Sequence, residues 1–260
     1  MKVGISGKGG VGKTTIAGVL VRSLRAEGLR VLAIDADPNS NLALALGMSP
    51  KEAEEITPIA ENAELVEEKT GVGPDAGGAL FRLTFRVDDM IERFSVETPS
   101  GVSLIVMGAV RSSGQGCMCP ANALVRALLR YVLTRRDEAV IVDLEAGVEH
   151  FGRGTAEHVD AMLVVTEPNL KSLETAKRIH RLSTGMGIKT VFVVGNKIAG
   201  SSDEEMVERF CEANGLSLLG LVPYDEEIRK SDAIGTMPEM DSRSVAIIKR
   251  IGEKLLKLRA

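Results

Sequence analysis

The chain has 260 residues, of which 44% are hydrophobic and 26% charged, with a formal net charge of −4. This composition predicts one large core in a soluble globular protein and excludes a membrane-spanning one, since no apolar run is long enough to cross a bilayer. The lack of a basic block argues against a nucleic-acid partner, and a strand-like run almost at the N-terminus, with no secretory signal before it, predicts a cytoplasmic location.

Short β-branched runs alternate with amphipathic helical segments along the chain. The runs predict strands at about 2–6, 30–35, 102–107, 138–143, 161–166, 189–195 and 217–222. Several runs are almost wholly apolar, which is typical of parallel strands covered by helices on both faces. We therefore predict an α/β fold with a doubly wound, mostly parallel sheet of seven to eight strands in a single domain over 1–260.

One segment, from about Lys51 to Ser100, departs from this alternation. It is rich in Glu, Gly and Thr. We predict an insertion here, with short strands near Phe81 to Val87.

The first predicted strand is followed by nine residues, GKGGVGKTT, that fit the phosphate-loop pattern G-x-x-x-x-G-K-[ST] and open a helix. Glycines let successive backbone amides converge on phosphate oxygens, and the helix start adds a positive dipole end. We expect Lys13 to reach the β- and γ-phosphates and Thr14 to give its hydroxyl to Mg²⁺. The alternative is a glycine-rich turn without a ligand. The predicted phosphate-binding set is Gly7, Lys8, Gly9, Gly10, Val11, Gly12, Lys13, Thr14 and Thr15.

The general pattern does not require the lysine at position 8. A KGGVGKT loop resembles the deviant phosphate-loop ATPases of the MinD, ParA, ArsA and nitrogenase-iron-protein superfamily. The resemblance implies that Lys8 reaches the partner's nucleotide in a nucleotide-dependent homodimer. A cation beside a highly charged anion lowers the cost of closing two subunits around it. Without the resemblance, Lys8 could be a solvated loop residue.

Carboxylates follow two further strands. Asp35 ends the second strand, and Asp37 lies two residues beyond it in AIDADPNSNL. This D-x-D resembles the first switch of the superfamily, which implies that Asp37 positions the attacking water; a helix N-cap is the alternative. Asp143, after the fourth strand, matches the Walker B acid that is linked to Mg²⁺. Glycines in the stretch after it predict a movable second switch.

Two later turns carry candidate base contacts. Asn196 and Lys197 begin an N-K-I-A sequence, whereas guanine readers use N-K-x-D, so Ala199 favours ATP over GTP. An asparagine amide here can pair with the adenine edge. Pro223 and Asp225, in the P-Y-D after the last strand, resemble the superfamily's second base-contacting turn, although Asp225 could instead cap a helix.

The segment GQGCMCPANALV carries a C-x-C pair, Cys117 and Cys119, before a proline that is suited to start a helix. Thiolates bind soft metals, and cytoplasmic thiols stay reduced. Two sulfurs are too few for a tetrahedral soft-metal site, but a twofold dimer would bring four together. Chance pairing or structural burial is the alternative. Cys211, beside Phe210 in a predicted helix, is expected to pack in the core.

Together, KGGVGKTT, GxGCxCP, D-x-EAG-x-EHFGRGTA and the NK pair resemble the CooC family, the nickel-insertion accessory ATPases for carbon monoxide dehydrogenase. A close relative of that family acts on acetyl-CoA synthase. The resemblance implies an ATP hydrolase with Lys8, Lys13 and Asp37 in catalytic roles. It also implies a homodimer that holds nickel or zinc through Cys117 and Cys119 of both chains and delivers nickel to either recipient enzyme.

Three other functions stay open. A MinD- or ParA-like positioning ATPase is the first, because the amphipathic segment Val245 to Leu258 could be a membrane helix, although such a stripe more often packs on the core. We therefore expect no stable membrane association. A nitrogenase-iron-protein-like reductase is the second. The cluster of that family uses one cysteine in each of two separated loops, and the second switch of this chain contains no cysteine. A nickel GTPase is disfavoured by Ala199 and by the presence of only three histidines.

Overall fold

The computed structural model describes residues 1–37, 39–73, 87–108, 120–132, 137–145 and 159–258. Within these residues the chain forms an eight-stranded sheet of order β3-β4-β2-β5-β1-β6-β7-β8. All neighbouring strands run parallel except the β3–β4 pair. The strands are β1 Lys2–Gly7, β2 Arg30–Ala36, β3 Val96–Glu97, β4 Ser103–Val106, β5 Glu138–Leu144, β6 Ala161–Thr166, β7 Val191–Ile198 and β8 Ser217–Pro223.

Helices cover the sheet. The α-helices among the described residues are α1 Lys13–Ala26, α2 Leu42–Ala45, α3 Pro50–Glu54, α4 Ala63–Thr70, α5 Val87–Phe94, α6 Pro120–Tyr131, α7 Leu170–Gly185, α8 Ser201–Ala213, α9 Glu226–Ile234 and α10 Arg243–Lys257. The predicted α/β class, with a mostly parallel sheet of seven to eight strands, is confirmed.

Every one of the seven predicted strands is present, and the additional strand is β3, which has only two residues and pairs antiparallel at the sheet edge. So short a strand offers no periodicity for a sequence to show. The strands predicted near Phe81 to Val87 fall mostly on residues 81–86, outside the described part. At Val87 the prediction is wrong, because this residue begins α5.

The two faces of the sheet bury different clusters of side chains, because successive strand residues point to opposite sides. On β5, Ile141 belongs to the cluster under α1 and α10, whereas Val140 and Val142 belong to the cluster shared with α4, α6 and α7. Apolar residues are therefore needed at consecutive strand positions, and the near-continuous apolar runs follow from burial on both faces.

Strand β1 lies between β5 and β6, in the middle of the sheet. From β1 the chain passes to β2 on one side, and later it builds β6, β7 and β8 on the other. The connections at the carboxyl ends of these strands diverge above β1, where open α/β sheets bind their ligands.

The C-terminal stripe packs on the core, as the more frequent of its two interpretations predicts. Helix α10 buries Val245, Ile248, Ile251 and Leu255 and contacts α1 and β8, whereas Leu258 is 56% exposed. In the part of the chain that the structure describes, no helix combines the length and apolar character needed to span a bilayer.

Candidate nucleotide site

The segment between β1 and α1 has the backbone conformation of a phosphate loop. Gly10 and Gly12 have φ values of 84° and 90°, a region that L-residues rarely adopt. Gly12 is the N-cap of α1, and no side chain caps the helix there. The first amides of α1 therefore lack a side-chain acceptor and suit an anion.

Gly12 also lies against the Asn196 side chain. A Cβ at this position would lie 2.4 Å from Nδ2 of Asn196, which is closer than nonbonded atoms approach. The loop and the end of β7 thus touch directly.

Lys13 and Thr14 lie at the start of α1, next to the end of β5. Lys13 is 7% exposed, and the Thr14 hydroxyl donates a hydrogen bond of 2.6 Å to Oδ2 of Asp143. Asp143 is 1% exposed. Burial, followed by the nearby charge of Asp35, raises the pKa of the Asp143 carboxyl to about 7, against the smaller effects of Thr14 and Lys13.

This pair of residues fits Mg²⁺. The second carboxylate oxygen of Asp143, Oδ1, is buried and has no hydrogen-bond partner within the described residues. A hydroxyl and a carboxylate are the hard oxygen donors that Mg²⁺ takes, usually together with water and phosphate oxygens. Thr14 and Asp143 would hold the ion, which when bound neutralises charge on the β- and γ-phosphates.

Asp35 organises the turn after β2, a role that the sequence analysis did not assign. Its Oδ2 accepts hydrogen bonds from the Ser40 hydroxyl at 2.5 Å and the Leu42 amide at 2.9 Å, and its Oδ1 accepts one from the Asp37 amide. Burial raises the pKa of Asp35, and these hydrogen bonds oppose the rise. Asp35 pairs in register with Asp143, so the neighbouring strands β2 and β5 place two buried carboxyl groups side by side.

Asp37, the predicted water-positioning residue, is half-buried and accepts a hydrogen bond from the amide of Asn39 at 2.9 Å. It does not cap the following helix, because the N-cap of α2 is Asn41. Its charge contributes to the raised pKa of Asp143, so the two carboxyl groups are within electrostatic range. The role of Asp37 in positioning water stays a prediction.

Asn196 and Lys197, predicted as base contacts, brace the loop. Nδ2 of Asn196 donates to the Val11 carbonyl at 2.8 Å, and Nζ of Lys197 donates to the Gly10 carbonyl at 2.7 Å. Nζ of Lys197 also pairs with Oε1 of Glu167 at 2.6 Å. The amide that we expected to pair with adenine is thus donated to the loop, and its contact with a base stays a prediction.

The two segments predicted to contact the base do meet. Ile198, Ala199, Pro223 and Tyr224 line a common cavity of about 340 Å³, and the Tyr224 amide donates to the Ile198 carbonyl at 2.8 Å. The last member of the second turn, Asp225, caps α9, which confirms its alternative role.

The Asp225 carboxylate accepts hydrogen bonds from the Glu227 amide at 3.0 Å and the Ile228 amide at 3.3 Å. Such bonds satisfy helix amides that have no partner within the helix.

Three residues of the site have a role that the sequence analysis did not assign. They are Asp35, Glu167, which pairs with Lys197, and Asp232, which accepts a hydrogen bond from the Thr15 hydroxyl at 3.1 Å. Their only sequence signal is a polar residue at the end of an apolar strand, just after one, or inside a helix.

The predicted metal ligands Cys117 and Cys119 lie outside the described residues, as do the glycines of the second switch. The structure therefore leaves the metal site a prediction. Cys211 is buried beside Phe210, as expected, and burial raises the pKa of its thiol.

A strand, a glycine loop with left-handed residues, a helix that begins at Lys13 and a Thr14–Asp143 pair define a P-loop nucleoside triphosphatase. A family model described as the CobQ/CobB/MinD/ParA nucleotide binding domain matches residues 3–238, and the chain belongs to that family. It is therefore an ATP-binding ATPase, as its sequence predicts.

Relatives and solved structures agree. The carbon monoxide dehydrogenase accessory protein CooC of Rhodospirillum rubrum is 46% identical over 235 residues, which cover 90% of this chain and 88% of that protein, so the predicted resemblance is confirmed. An ATP-binding protein of Methanocaldococcus jannaschii is 44% identical over 259 residues, which cover 100% of this chain and 99% of that protein. The solved structure of the septum site-determining protein MinD from Pyrococcus horikoshii OT3 with Mg-ADP has a TM-score of 0.70 at 20% identity, covering 100% of this chain and 97% of that one. This last likeness concerns the fold alone.

Proposed function

We propose that the protein is an ATP-dependent maturation factor for carbon monoxide dehydrogenase, which carries nickel or zinc at a homodimer interface and delivers nickel to the enzyme. The observation that carries the proposal is the ATP site combined with a C-x-C pair in a chain that is 46% identical to a carbon monoxide dehydrogenase accessory protein. Delivery to acetyl-CoA synthase by the same mechanism is the alternative.

The topology supports a link between the nucleotide and the cysteines. The connection that contains Cys117 and Cys119 leaves β4 at the sheet edge where the phosphate loop lies, and it joins α6 at Pro120. The segment after Asp143 leaves β5 at the same edge. Both connections thus begin at the sheet edge that carries the phosphate loop, which supports an effect of the γ-phosphate on them.

Lys8 supports a dimer that closes around the nucleotide. It is exposed, and within the described residues it forms no ion pair. A lysine in that position is free to approach the phosphates of a partner's nucleotide. Closing two chains would bring four thiolates together, which is the number that a tetrahedral zinc or nickel site needs.

Hydrolysis uses the residues around β1, β2 and β5. Lys13 binds the β- and γ-phosphates, Asp37 orients the attacking water, and Thr14 and Asp143 hold the magnesium ion. Loss of the γ-phosphate changes the contacts of the two switches and so changes metal affinity. Coupling requires that metal affinity differ between the nucleotide states, since a ligand shifts an equilibrium only by its differential affinity.

The test is light-scattering mass with metal analysis during Ni²⁺ and Zn²⁺ titrations, with ADP, with a non-hydrolysable ATP analogue and without nucleotide. The double variant Cys117→Ala/Cys119→Ala removes the proposed ligands, and Cys211→Ala is the matched control for loss of a buried thiol. We expect one metal ion per dimer in the wild type and in the control, dependent on nucleotide, and none in the double variant. Metal-induced dimers of the double variant would refute the proposal.

The recipient is tested separately, by incubating the nickel-loaded protein and ATP with nickel-free carbon monoxide dehydrogenase or nickel-free acetyl-CoA synthase. Activation of the first enzyme supports the proposal, and activation of the second alone supports the alternative.

A positioning ATPase of the MinD or ParA type is the second candidate, favoured by the family match over residues 3–238. Its membrane form would need an exposed apolar helix, but α10 buries its apolar stripe against α1 and β8. Sedimentation with anionic vesicles in the presence of ATP separates the two functions. Binding that is indifferent to Cys117 and Cys119 would favour the second.

A further inference from the structure

Lys197 has an unusual backbone conformation at the end of β7. Its φ of 58° is the only positive value among the non-glycine residues that the structure describes. L-residues with a Cβ are sterically disfavoured in this region, and such residues persist where the surrounding structure holds them. The ladder between β7 and β8 shifts register between Gly195 and Ile198, so the strand bends at Lys197.

The bend places two consecutive side chains against two consecutive carbonyls of the loop. Asn196 donates to the carbonyl of Val11, and Lys197 donates to the carbonyl of Gly10. In a trans peptide the C=O and the following N–H point in opposite directions. Holding the carbonyls of Gly10 and Val11 therefore sets the directions of the next two amides, those of Val11 and Gly12. The Val11 amide makes only a long hydrogen bond of 3.4 Å, to the Lys8 carbonyl within the loop.

Glu167 holds the ammonium group of Lys197 in this position. It follows β6, the parallel neighbour of β7, and its Oε1 lies 2.6 Å from Nζ of Lys197. Its own backbone amide donates to the Ser172 hydroxyl at 3.0 Å, and its Oε2 accepts a 3.3 Å hydrogen bond from the Asn169 side chain. The first contact holds the Glu167 backbone and the second its carboxylate, both independently of the loop.

We propose that Glu167 is a positioning residue for the ATPase reaction. It acts through Lys197, whose ammonium it keeps on the Gly10 carbonyl, so that the loop has its phosphate-binding shape before nucleotide arrives. This inference rests on ATP binding alone and does not depend on nickel delivery.

Preorganisation of this kind predicts a particular kinetic signature. If the loop must become ordered during binding, the affinity falls for every nucleotide that binds to it, whether substrate or product. The loss concerns uniform binding, which changes KM and leaves kcat largely unaffected. Loss of a charge-assisted hydrogen bond predicts that Kd for ADP and KM for ATP rise about tenfold in Glu167→Ala and in Lys197→Met.

The experiment measures Kd for Mg-ADP by calorimetry, together with KM and kcat for ATP, in single and double variants. Because the two residues act as a unit, the double variant Glu167→Ala/Lys197→Met should bind ADP no more weakly than either single variant. Glu167→Gln keeps an oxygen that can accept from Lys197 and should stay within about threefold of the wild type. The matched surface controls, Glu174→Ala and Lys177→Met on the exposed face of α7, should be unchanged.

The variant Lys197→Gly distinguishes the effect of the ammonium group from that of the backbone conformation, since glycine removes the first and tolerates the second. It should lose ADP affinity as much as Lys197→Met does. Wild-type affinity in Lys197→Gly would show that the backbone conformation alone matters and would overturn the proposal. So would additive losses in the double variant, a kcat effect without a KM effect, or unchanged or tighter ADP binding in Glu167→Ala.

Discussion

Replacing Asp143 by asparagine should stabilise the nucleotide-free protein while impairing hydrolysis. The folded-state pKa of this carboxyl, about 7, lies above its ordinary value of 3.8 because of burial and the charge of Asp35. Below about pH 4 the group is protonated in both states and has no effect on stability. As the pH rises to about 7, the unfolded chain releases a proton that the folded chain keeps, so the free energy of unfolding falls.

The magnitude follows from the size of the pKa difference. About three pH units correspond to a destabilisation of about 4 kcal/mol above pH 7, as an upper bound. The asparagine side chain of the Asp143→Asn variant would keep an oxygen for the Thr14 hydroxyl but carry no charge. We therefore expect the variant to gain about 2 to 4 kcal/mol at pH 8 and little at pH 4.

Urea unfolding in EDTA at intervals between pH 4 and pH 8 measures this effect, with Asp241→Asn, at an exposed position, as the control. The wild type and the control should lose stability with pH more steeply than Asp143→Asn, and Mg²⁺-dependent ATP hydrolysis should be lost only in Asp143→Asn. Parallel pH profiles, or a variant less stable than wild type at pH 8, would refute the electrostatic argument.

Three further predictions concern the loop and two helices. Gly12→Ala should weaken ADP binding in calorimetry, because a φ of 90° strains an alanine and the new Cβ would displace the Asn196 side chain, whose Nδ2 lies 2.4 Å away; retained affinity would contradict this argument. Asp225→Ala should lower the unfolding free energy by about 0.5 to 2 kcal/mol through loss of the α9 cap, and an unchanged urea midpoint would argue against the cap. Ile251→Ala should cost about 2 to 5 kcal/mol in the same assay and Leu258→Ala almost nothing, since only the first is buried; equal losses would count against the packing of α10.

Much of the fold was determined by the sequence alone. The runs that form β5, β6 and β7 are apolar at consecutive positions because both faces of the sheet are buried, and that pattern is visible without coordinates. The phosphate loop is equally local, since the glycines and Lys13 act within one short segment. The apolar stripe of α10 is likewise visible in the sequence, because a single helix period carries the signal, although only the structure shows that it packs on the core.

The tertiary structure alone decided which distant residues meet. Strand register places Asp35 beside Asp143, and burial together with this nearby charge raises the Asp143 pKa. The bend in β7 turns Asn196 and Lys197 onto the loop, and the neighbouring end of β6 supplies Glu167. These contacts join residues far apart in sequence, and a chain's local pattern does not contain the register and bending of its strands, which depend on how the whole sheet packs.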